Sequence, residues 1–529
     1  MEKIFTRNDE LEKHLILFKK YFNFDQVIKS IMKNNFIKIK NSFEKILKKN
    51  PKDDNILHQY ALTLQKNGFI KEAISYLTRA LNIKPNNIEY LNNLSFFYFI
   101  SKDFQSALTV YLKVSYLNPN NEETLNNIGI TLNKLSRFKD AINYFNKAIE
   151  INSKKFSFFY NKANSYLNLQ EYENAIQNYT KSLSIKPNHL NSLHNRAFAH
   201  EELLQLDNAL IDYENCIKIN PAAWGSYLSK SHIHLIKGEF EIGWKLREYR
   251  WKIDKFNQIH KILDATKFWL GKQNIQGKKI LIPFEQGLGD TIQFCRLVKN
   301  LKSFNCEIIL LVQKSLLNLI KTLDKDITVI TTDNQNIKYD FYCPLLSLPF
   351  VLKINQNNIP NQVPYLEAQK DKISQWKSEI NKSKKLKIGV AWKGNPLNGD
   401  DYKRSYNLRE VIDLFESKYD WISLHHEISI EEEEILINSK VRNLANLQKD
   451  FDDLAAICEC LDLIITVDTS IVHLAGALGK KTYLILAYNP DFRWLKDINS
   501  SPWYPNLKLF RKNKNSNWRE LIKRAIKEI

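Results

Sequence analysis

A 34-residue period runs through the first half of this chain and constrains its fold more than any other feature. Prolines stand at Pro51, Pro85, Pro119, Pro187 and Pro221, with Ser153 in the one gap, all on a single grid. Small residues recur on the same grid as Ala73, Ala107, Ala141, Ala175, Ala209 and Gly243. Four residues after each of the first five comes a bulky side chain: Leu77, Tyr111, Phe145, Tyr179, Tyr213. A further apolar row, Leu57, Leu91, Leu125, Phe159, Leu193 and Tyr227, keeps register with them. The small residue lets two helices approach closely, the bulky one fills the gap between neighbours, and proline stops the second helix. One such pair cannot bury its apolar face alone, so five or six units must stack into a right-handed solenoid.

This period and pattern resemble the tetratricopeptide repeat, a helix–turn–helix unit. An amide recurs at one point of each first helix, as Gln59, Asn93, Asn127, Asn161 and Asn195. Facing a concave surface, such a row could hydrogen-bond an extended peptide, each amide offering a donor and an acceptor. The other reading is local bonding between repeats, since buried amides must be paired. The last unit, Trp224–Trp251, departs from the pattern in its second helix, as terminal repeats do, and is expected to dock on the C-terminal half of the chain.

At 529 residues the chain should hold about three domains. The net charge of +19 is spread evenly over both halves. That is the pattern of a Lys-rich solvated surface that favours anionic ligands, and nucleic acid is not expected as a partner. The six cysteines, Cys216, Cys295, Cys306, Cys343, Cys458 and Cys460, show no CxxC spacing, so neither zinc ribbons nor a disulfide framework is expected, and a reducing compartment fits. The opening MEKIFTRNDELEKHLILFKK lacks a signal-peptide core, and no uncharged apolar run approaches the ~18 residues a membrane span requires. A cytoplasmic protein is expected.

After Trp251 the period ends. Short apolar runs then alternate with helical stretches: 279–284, 307–313 and 327–332 form one set of strands, and 387–392, 421–426, 463–468 and 482–487 a second. The polar helical stretch 370–385 separates them. Such alternation predicts two doubly wound α/β domains with parallel sheets, which bind ligands at the carboxyl ends of their strands. The expected division is 1–53, N-terminal helices and a partial repeat; 54–255, the repeat solenoid; 256–277, a connector; then 278–384 and 385–529, the two α/β domains.

The loops after the strands carry the informative residues. Gly287, Gly289 and Asp290 precede an amphipathic helix expected over Thr291–Leu301. The glycines permit a tight turn, and a helix N-terminus favours an anion; Asp290 could equally be the cap of that helix. Asp468, Thr469, Ser470 and His473 fall at a strand-to-helix turn that could hold a diphosphate, His473 alone reading more simply as a core histidine. Lys393, Lys403 and Arg404 could neutralise phosphate oxygens, or be ordinary surface charge. Glu431–Glu434 reads as a solvated acidic face, from which one carboxylate could reach a ribose hydroxyl.

The segments GEFEIGWKLREYRW, EQGLGDTIQF, YCPLLSLPF, GVAWKGNP, the Lys403–Arg404 turn, VDTSIVHLAGALG, and DFRWL followed by SPWYPNLKLFR stand in this order. Together they resemble glycosyltransferase family 9, the ADP-heptose:lipopolysaccharide heptosyltransferases, and most of all its repeat-bearing bacterial branch. The resemblance implies a GT-B arrangement of two Rossmann-like domains, the first on the acceptor side and the second on the donor side. It implies an inverting, metal-independent transferase with no cofactor, using a nucleotide-diphosphate sugar, with ADP-heptose a candidate. Asp290 would be the catalytic base. Gly287, Gly289, Lys393, Lys403, Arg404, Asp468, Thr469, Ser470 and His473 would form the donor site. The C-terminal helix NWRELIKRAIKEI would cross back onto the first α/β domain. The repeats, through Asn93, Asn127, Asn161 and Asn195, would select a protein or glycan acceptor, and peripheral membrane contact remains open. O-GlcNAc transferase shares the architecture but not these catalytic-half motifs. Classical heptosyltransferases lack the repeats, and DTS stands here where many have DTG. The alternative is a non-catalytic repeat scaffold whose glycosyltransferase-like half has lost turnover.

Overall fold

The computed structural model describes residues 24–253, 262–334, 337–397, 399, 401–496 and 498–529. The start of the expected N-terminal segment (1–23) and of the connector (256–261) lie outside them. The chain divides into two compact units, 1–199 and 200–529.

The first unit is all helical. After α1 (Phe24–Lys49), helix pairs follow as α2 (Asp54–Lys66) with α3 (Ile70–Ile83), α4 (Ile88–Ile100) with α5 (Phe104–Leu117), α6 (Glu122–Lys134) with α7 (Phe138–Ile151), and α8 (Phe156–Asn168) with α9 (Tyr172–Ile185). Each first helix starts 34 residues after the last, so the sequence period is the structural period. Asp53, Asn87 and Asn121 cap three of these helices by accepting a backbone N–H from the first turn, as short polar side chains do. Ala73, Ala107, Ala141 and Ala175 are fully buried, with Leu77, Phe145 and Tyr179 buried completely beside them.

The turn inside each pair has a period that the sequence did not announce. Gly68, Lys102, Ser136 and Gln170 all hold left-handed backbones, with φ of 85, 66, 58 and 61°. The next residue donates back across the turn, as Phe69 N–H to Leu64 O at 2.9 Å and Asp103 N–H to Tyr98 O at 3.0 Å. This 6→1 closure is a Schellman motif, for which glycine is the usual residue. Only Gly68 among these four is glycine, so the rest carry a side chain in a disfavoured conformation.

In the second unit the repeat pattern continues through α11 (Leu206–Ile219), α12 (Trp224–Ile236) and α13 (Phe240–Arg247). α10 (Leu190–Glu202) spans the boundary between the units. Then come β1 (Lys279–Pro283), α14 (Leu288–Phe294), β2 (Glu307–Val312), β3 (Thr328–Thr331) and β4 (Phe341–Tyr342), which make a parallel sheet ordered β3-β2-β1-β4. A second parallel sheet is ordered β10-β9-β8-β5-β6-β7. Its strands are β5 (Lys387–Ala391), β6 (Asp420–Ser423), β7 (Val441–Arg442), β8 (Leu463–Val467), β9 (Thr482–Leu486) and β10 (Leu507–Arg511). β8 and β9 are buried along their whole length, as parallel strands covered on both faces should be.

Several elements differ from the sequence expectation. Residues 341–342 and 441–442 pair as strands too short to leave a pattern, and β10 lies in a run read as a motif. The helix expected over Thr291–Leu301 begins at Leu288 and tightens to 3₁₀ geometry over Cys295–Phe304. The terminal helix α15 (Trp518–Ile526) does not cross to the first sheet. Its Leu521, Ile522, Ala525 and Ile526 pack into the core of the second sheet with Tyr483 and Phe510, and Arg519 pairs with Asp413 at 2.5 Å. The strong apolar face of this helix is satisfied by the nearest unpaired sheet surface. It is instead Trp503 and Tyr504, ahead of β10, that reach the first sheet's helices: Trp503 O accepts from Arg296 at 2.7 Å.

The last repeat pair is fastened to both sheets. Arg250, 1% exposed, bonds Glu285 after β1 through Nε at 3.0 Å and Nη2 at 3.1 Å, and also Glu248 and Ser347. Trp244 packs edge-on against Phe294 of α14 and Phe492 of the second half. Gly243 stands where earlier units have alanine because a Cβ there would lie 2.5 Å from Leu235 Cγ and 3.2 Å from Leu235 N.

Candidate functional site

The carboxyl ends of β1 and β8 each lead into a helix, α14 and α16 (Ser470–Ala477), and these two helix starts touch. A Cβ on Gly289 would sit 2.8 Å from His473 Cδ2 and 3.3 Å from Ser470 Cα, so glycine is required for this approach. Gly287, in contrast, has room: its Cβ would meet only Asp290 Oδ2 at 3.4 Å.

Asp290 occupies the first turn of α14. Its Oδ2 accepts the Gly287 N–H at 3.0 Å, the capping role, while its Oδ1 accepts from Arg493 Nη2. Arg493 is the hub of the site. Its Nε donates to Gln293 Oε1 at 2.6 Å and its Nη1 to Asp491 Oδ1 at 2.7 Å, while its guanidinium lies 4.6 Å from the Phe492 ring centre. Burial opposes the charge of Asp491, but Arg493 and His232 prevail and hold its carboxyl below the usual range.

Asp468 follows β8. Burial, then the neighbouring Asp491 charge, push its carboxyl up to about 6. Thr469 caps α16, its Oγ1 accepting the Ile471 N–H at 3.2 Å, and Ser470 begins the helix. His473 is buried, stacked on Trp494 with centroids 5.6 Å apart, and its Nδ1 meets Tyr504 Oη at 3.0 Å. Burial, reinforced by Arg493, drives its pKa well down, so the ring is neutral at physiological pH. It therefore packs the seam between the two helices.

The three expected phosphate-binding cations all have partners. Lys393 pairs with Glu432, whose carboxyl also accepts from Trp392 Nε1 at 2.7 Å and Ser429 N–H at 2.9 Å. Those bonds outweigh burial and bring Glu432 down to about 2. Glu432 thus caps its own helix and holds Lys393. Lys403 reaches Glu202 at 2.9 Å, and Arg404 Nε pairs with Asp401 at 3.0 Å. Arg404 still acts on the charge of Asp468 and His473, so its field reaches the α16 turn.

The amide row bonds between repeats. Asn93 Nδ2 meets His58 Nε2 at 2.8 Å, Asn161 Nδ2 meets Asn126 Oδ1 at 2.9 Å, and Asn195 Nδ2 meets Asn164 Oδ1 at 3.1 Å. Gln59 is exposed. For Asn127, which is half-buried, no side-chain bond occurs among the described residues.

Sequence reasoning assigned no role to Arg493, Asp491 or Arg247. The first two stand in DFRWL, where an acid two residues before an arginine was the available signal. Among the described residues no group of three His, Cys, Asp or Glu side chains could hold a metal ion, and no helix is long and apolar enough to cross a membrane. The six cysteines form no disulfide.

Family profiles described as Tetratricopeptide repeat match residues 54–87, 122–155, 157–189 and 190–222, so the chain carries these repeats. Protein FlbA of Caulobacter vibrioides is 23% identical over 332 residues, covering 56% of this chain and 53% of that protein. The chain thus spans about half the length of this relative. Two solved structures are similar over the repeats. MamA is 22% identical, over 32% of this chain and 92% of that one, with a TM-score of 0.30. YrrB, described as a TPR protein with an unusual peptide-binding site, is 18% identical, over 36% and 97%, with a TM-score of 0.31.

Proposed function

We propose that this chain is an inverting, metal-independent glycosyltransferase that takes a sugar from a nucleoside-diphosphate donor, while its repeats engage an acceptor protein or glycan or a partner protein. The repeat array carries the protein-interaction part of this reading. The observation that supports the enzymatic part is the meeting of the Asp290 turn of one parallel sheet with the Asp468–Ser470 turn of the other. Inverting transfer needs a base at the acceptor and a charge-stabilising site at the leaving group. In this reading the acceptor oxygen bonds the anomeric carbon as the bond to the diphosphate oxygen breaks. The hydroxyl proton passes to Asp290. The charge left on the diphosphate is met by the first N–H groups of α16 and by Arg404. Metal independence and a heptose-like sugar rest on the family 9 resemblance alone.

One observation favours the other reading, a repeat scaffold without turnover. Both oxygens of Asp290 are engaged, one by the Gly287 N–H and the other by Arg493, so an acceptor hydroxyl would have to compete with these donors for them.

Titration with ADP-, UDP-, GDP- and CMP-sugars, followed by melting temperature, separates the two. A ligand at ~100 times its Kd adds about 2.7 kcal/mol. The transferase reading expects a shift with one nucleotide class, lost in Asp468→Ala, and transfer that Asp290→Asn abolishes while the shift persists. No shift with any donor establishes the scaffold reading.

A further inference from the structure

Among the cations around this site, Arg247 stands out because no described residue forms an ion pair or a side-chain hydrogen bond with it. It ends α13, the last repeat helix, and lies over the Phe492 ring at 5.1 Å. Its Nε is buried without a hydrogen-bond partner, and no ion pair or side-chain hydrogen bond engages its guanidinium among the described residues. Arg250, three residues on, is by contrast saturated by Glu285, Glu248 and Ser347. Arg493 is saturated by Gln293, Asp491 and Asp290.

A second observation points to the same place. Gln293, 0% exposed, gives its Oε1 to Arg493, but its Nε2 donor has no partner among the described residues. Trp244, one turn before Arg247, likewise has a buried Nε1–H with no acceptor among the described residues while packing on Phe294 and Phe492. The orphaned donors of Arg247 and Trp244 therefore both lie beside Phe492, and that of Gln293 belongs to the amide that holds Arg493; a buried donor without an acceptor is destabilising. Burial, with repulsion from Arg250 and Arg493, lowers the Arg247 pKa to about 10, while Asp491 and Asp290 pull it back. The same two rings carry the Arg493 guanidinium, which holds Asp290, so the orphaned donors border the candidate site.

We propose that Arg247 is an oxyanion-binding residue, supplied to the candidate site by the last repeat, that receives a phosphate group of the bound substrate. The inference rests on the candidate site's binding a phosphate-bearing ligand, and it deepens the function proposed above. The phosphate is either that of the donor diphosphate or one on the acceptor. A planar guanidinium with a free Nε edge and Nη groups suits a bidentate phosphate contact. The last repeat then does more than join the halves: it completes the anion site.

The test uses the full-length protein, with calorimetric titration of inorganic phosphate, inorganic diphosphate, ADP, UDP and GDP. In Arg247→Gln the affinity for at least one of these anions should fall about tenfold or more, and in Arg247→Lys by less, since the charge stays but the bidentate edge is lost. The melting temperature without ligand should not fall in Arg247→Gln, because no ion pair or side-chain hydrogen bond among the described residues is broken; a merely structural arginine would show a loss. If the nucleoside diphosphates depend on Arg247, the phosphate is the donor's. If only inorganic phosphate or diphosphate depends on it, the phosphate is the acceptor's. Anion affinities equal to wild type in Arg247→Gln, or no anion binding by the wild type, overturn the proposal. The donor reading fails separately, when inorganic anions bind through Arg247 but no nucleotide sugar binds.

Discussion

Gly287 and Gly289 stand two residues apart in one loop, and their substitution by alanine should have very different consequences. An alanine Cβ at 289 would lie 2.8 Å from His473 Cδ2 and 3.3 Å from the backbone at Ser470. Carbon atoms pack best at about 3.5–4.0 Å, so the contact must open by nearly 1 Å. His473 cannot swing aside, being stacked on Trp494 and bonded to Tyr504 at 3.0 Å. The helix starts must separate instead, and overpacking of this kind costs about 1–3 kcal/mol. At 287 the backbone is extended, with φ −70 and ψ 170°, and the Cβ makes an ordinary 3.4 Å contact. Restricting the unfolded chain there offsets what little is lost, so Gly287→Ala should stay within about 0.5 kcal/mol of wild type. All 10 tryptophans lie at or beyond residue 224, so fluorescence excited at ~295 nm reads the second unit alone. With a urea slope of about 2 kcal/mol per molar, Gly289→Ala should lower the midpoint by about 1 M and Gly287→Ala by a quarter of that at most. Equal midpoints for the two variants would refute the claim that the two helix starts are in contact.

The Asp468 carboxyl is raised to about 6, above the ~3.9 of an unfolded chain, so the folded state binds its proton first as pH falls. Its contribution to stability should improve from pH ~7 to ~4, and Asp468→Asn should be more stable than wild type at pH ~7.5 with the advantage vanishing near pH ~4; a pH-independent difference in urea midpoint would contradict the assignment. Glu432, lowered to about 2, has the opposite sign: Glu432→Gln should destabilise at neutral pH, and that difference should fade as pH falls from ~4.5 toward ~2. In the first unit, Lys102→Gly and Gln170→Gly should each add about 0.5 kcal/mol, the ~1 kcal/mol saved at a left-handed backbone exceeding glycine's entropic cost. A lower melting temperature by circular dichroism for both would show that the turns are held in another conformation.

Much of the repeat array was legible because its rules are local. The small and bulky rows and the proline stops each recur at a fixed distance along the chain, and the helices begin where that grid places them. The left-handed turn escaped notice because its marker, glycine, is kept at Gly68 and Gly238 but replaced at Lys102, Ser136, Gln170 and Leu204. In the α/β half the longer strands were legible as apolar runs, whereas β4 and β7, two residues each, were not. The amide row was visible, but whether it faced a ligand or the next repeat depended on helix packing, and three of its members bond neighbouring repeats.

The candidate site divides along the same line. Asp290, Thr469 and Ser470 could be read from the chain, since a strand ending before a helix start marks its own N-terminal turn. That Asp290 is gripped by Arg493, 203 residues away, could not. Neither could the pairing of Lys403 with Glu202, 201 residues away, nor the lack of an ion pair at Arg247 among the described residues. Periodicity and capping are interactions between near neighbours, which any short stretch of sequence encodes. The partner of a buried charge is set by which distant loops the packed sheets bring within about 3 Å, and no local pattern carries that information.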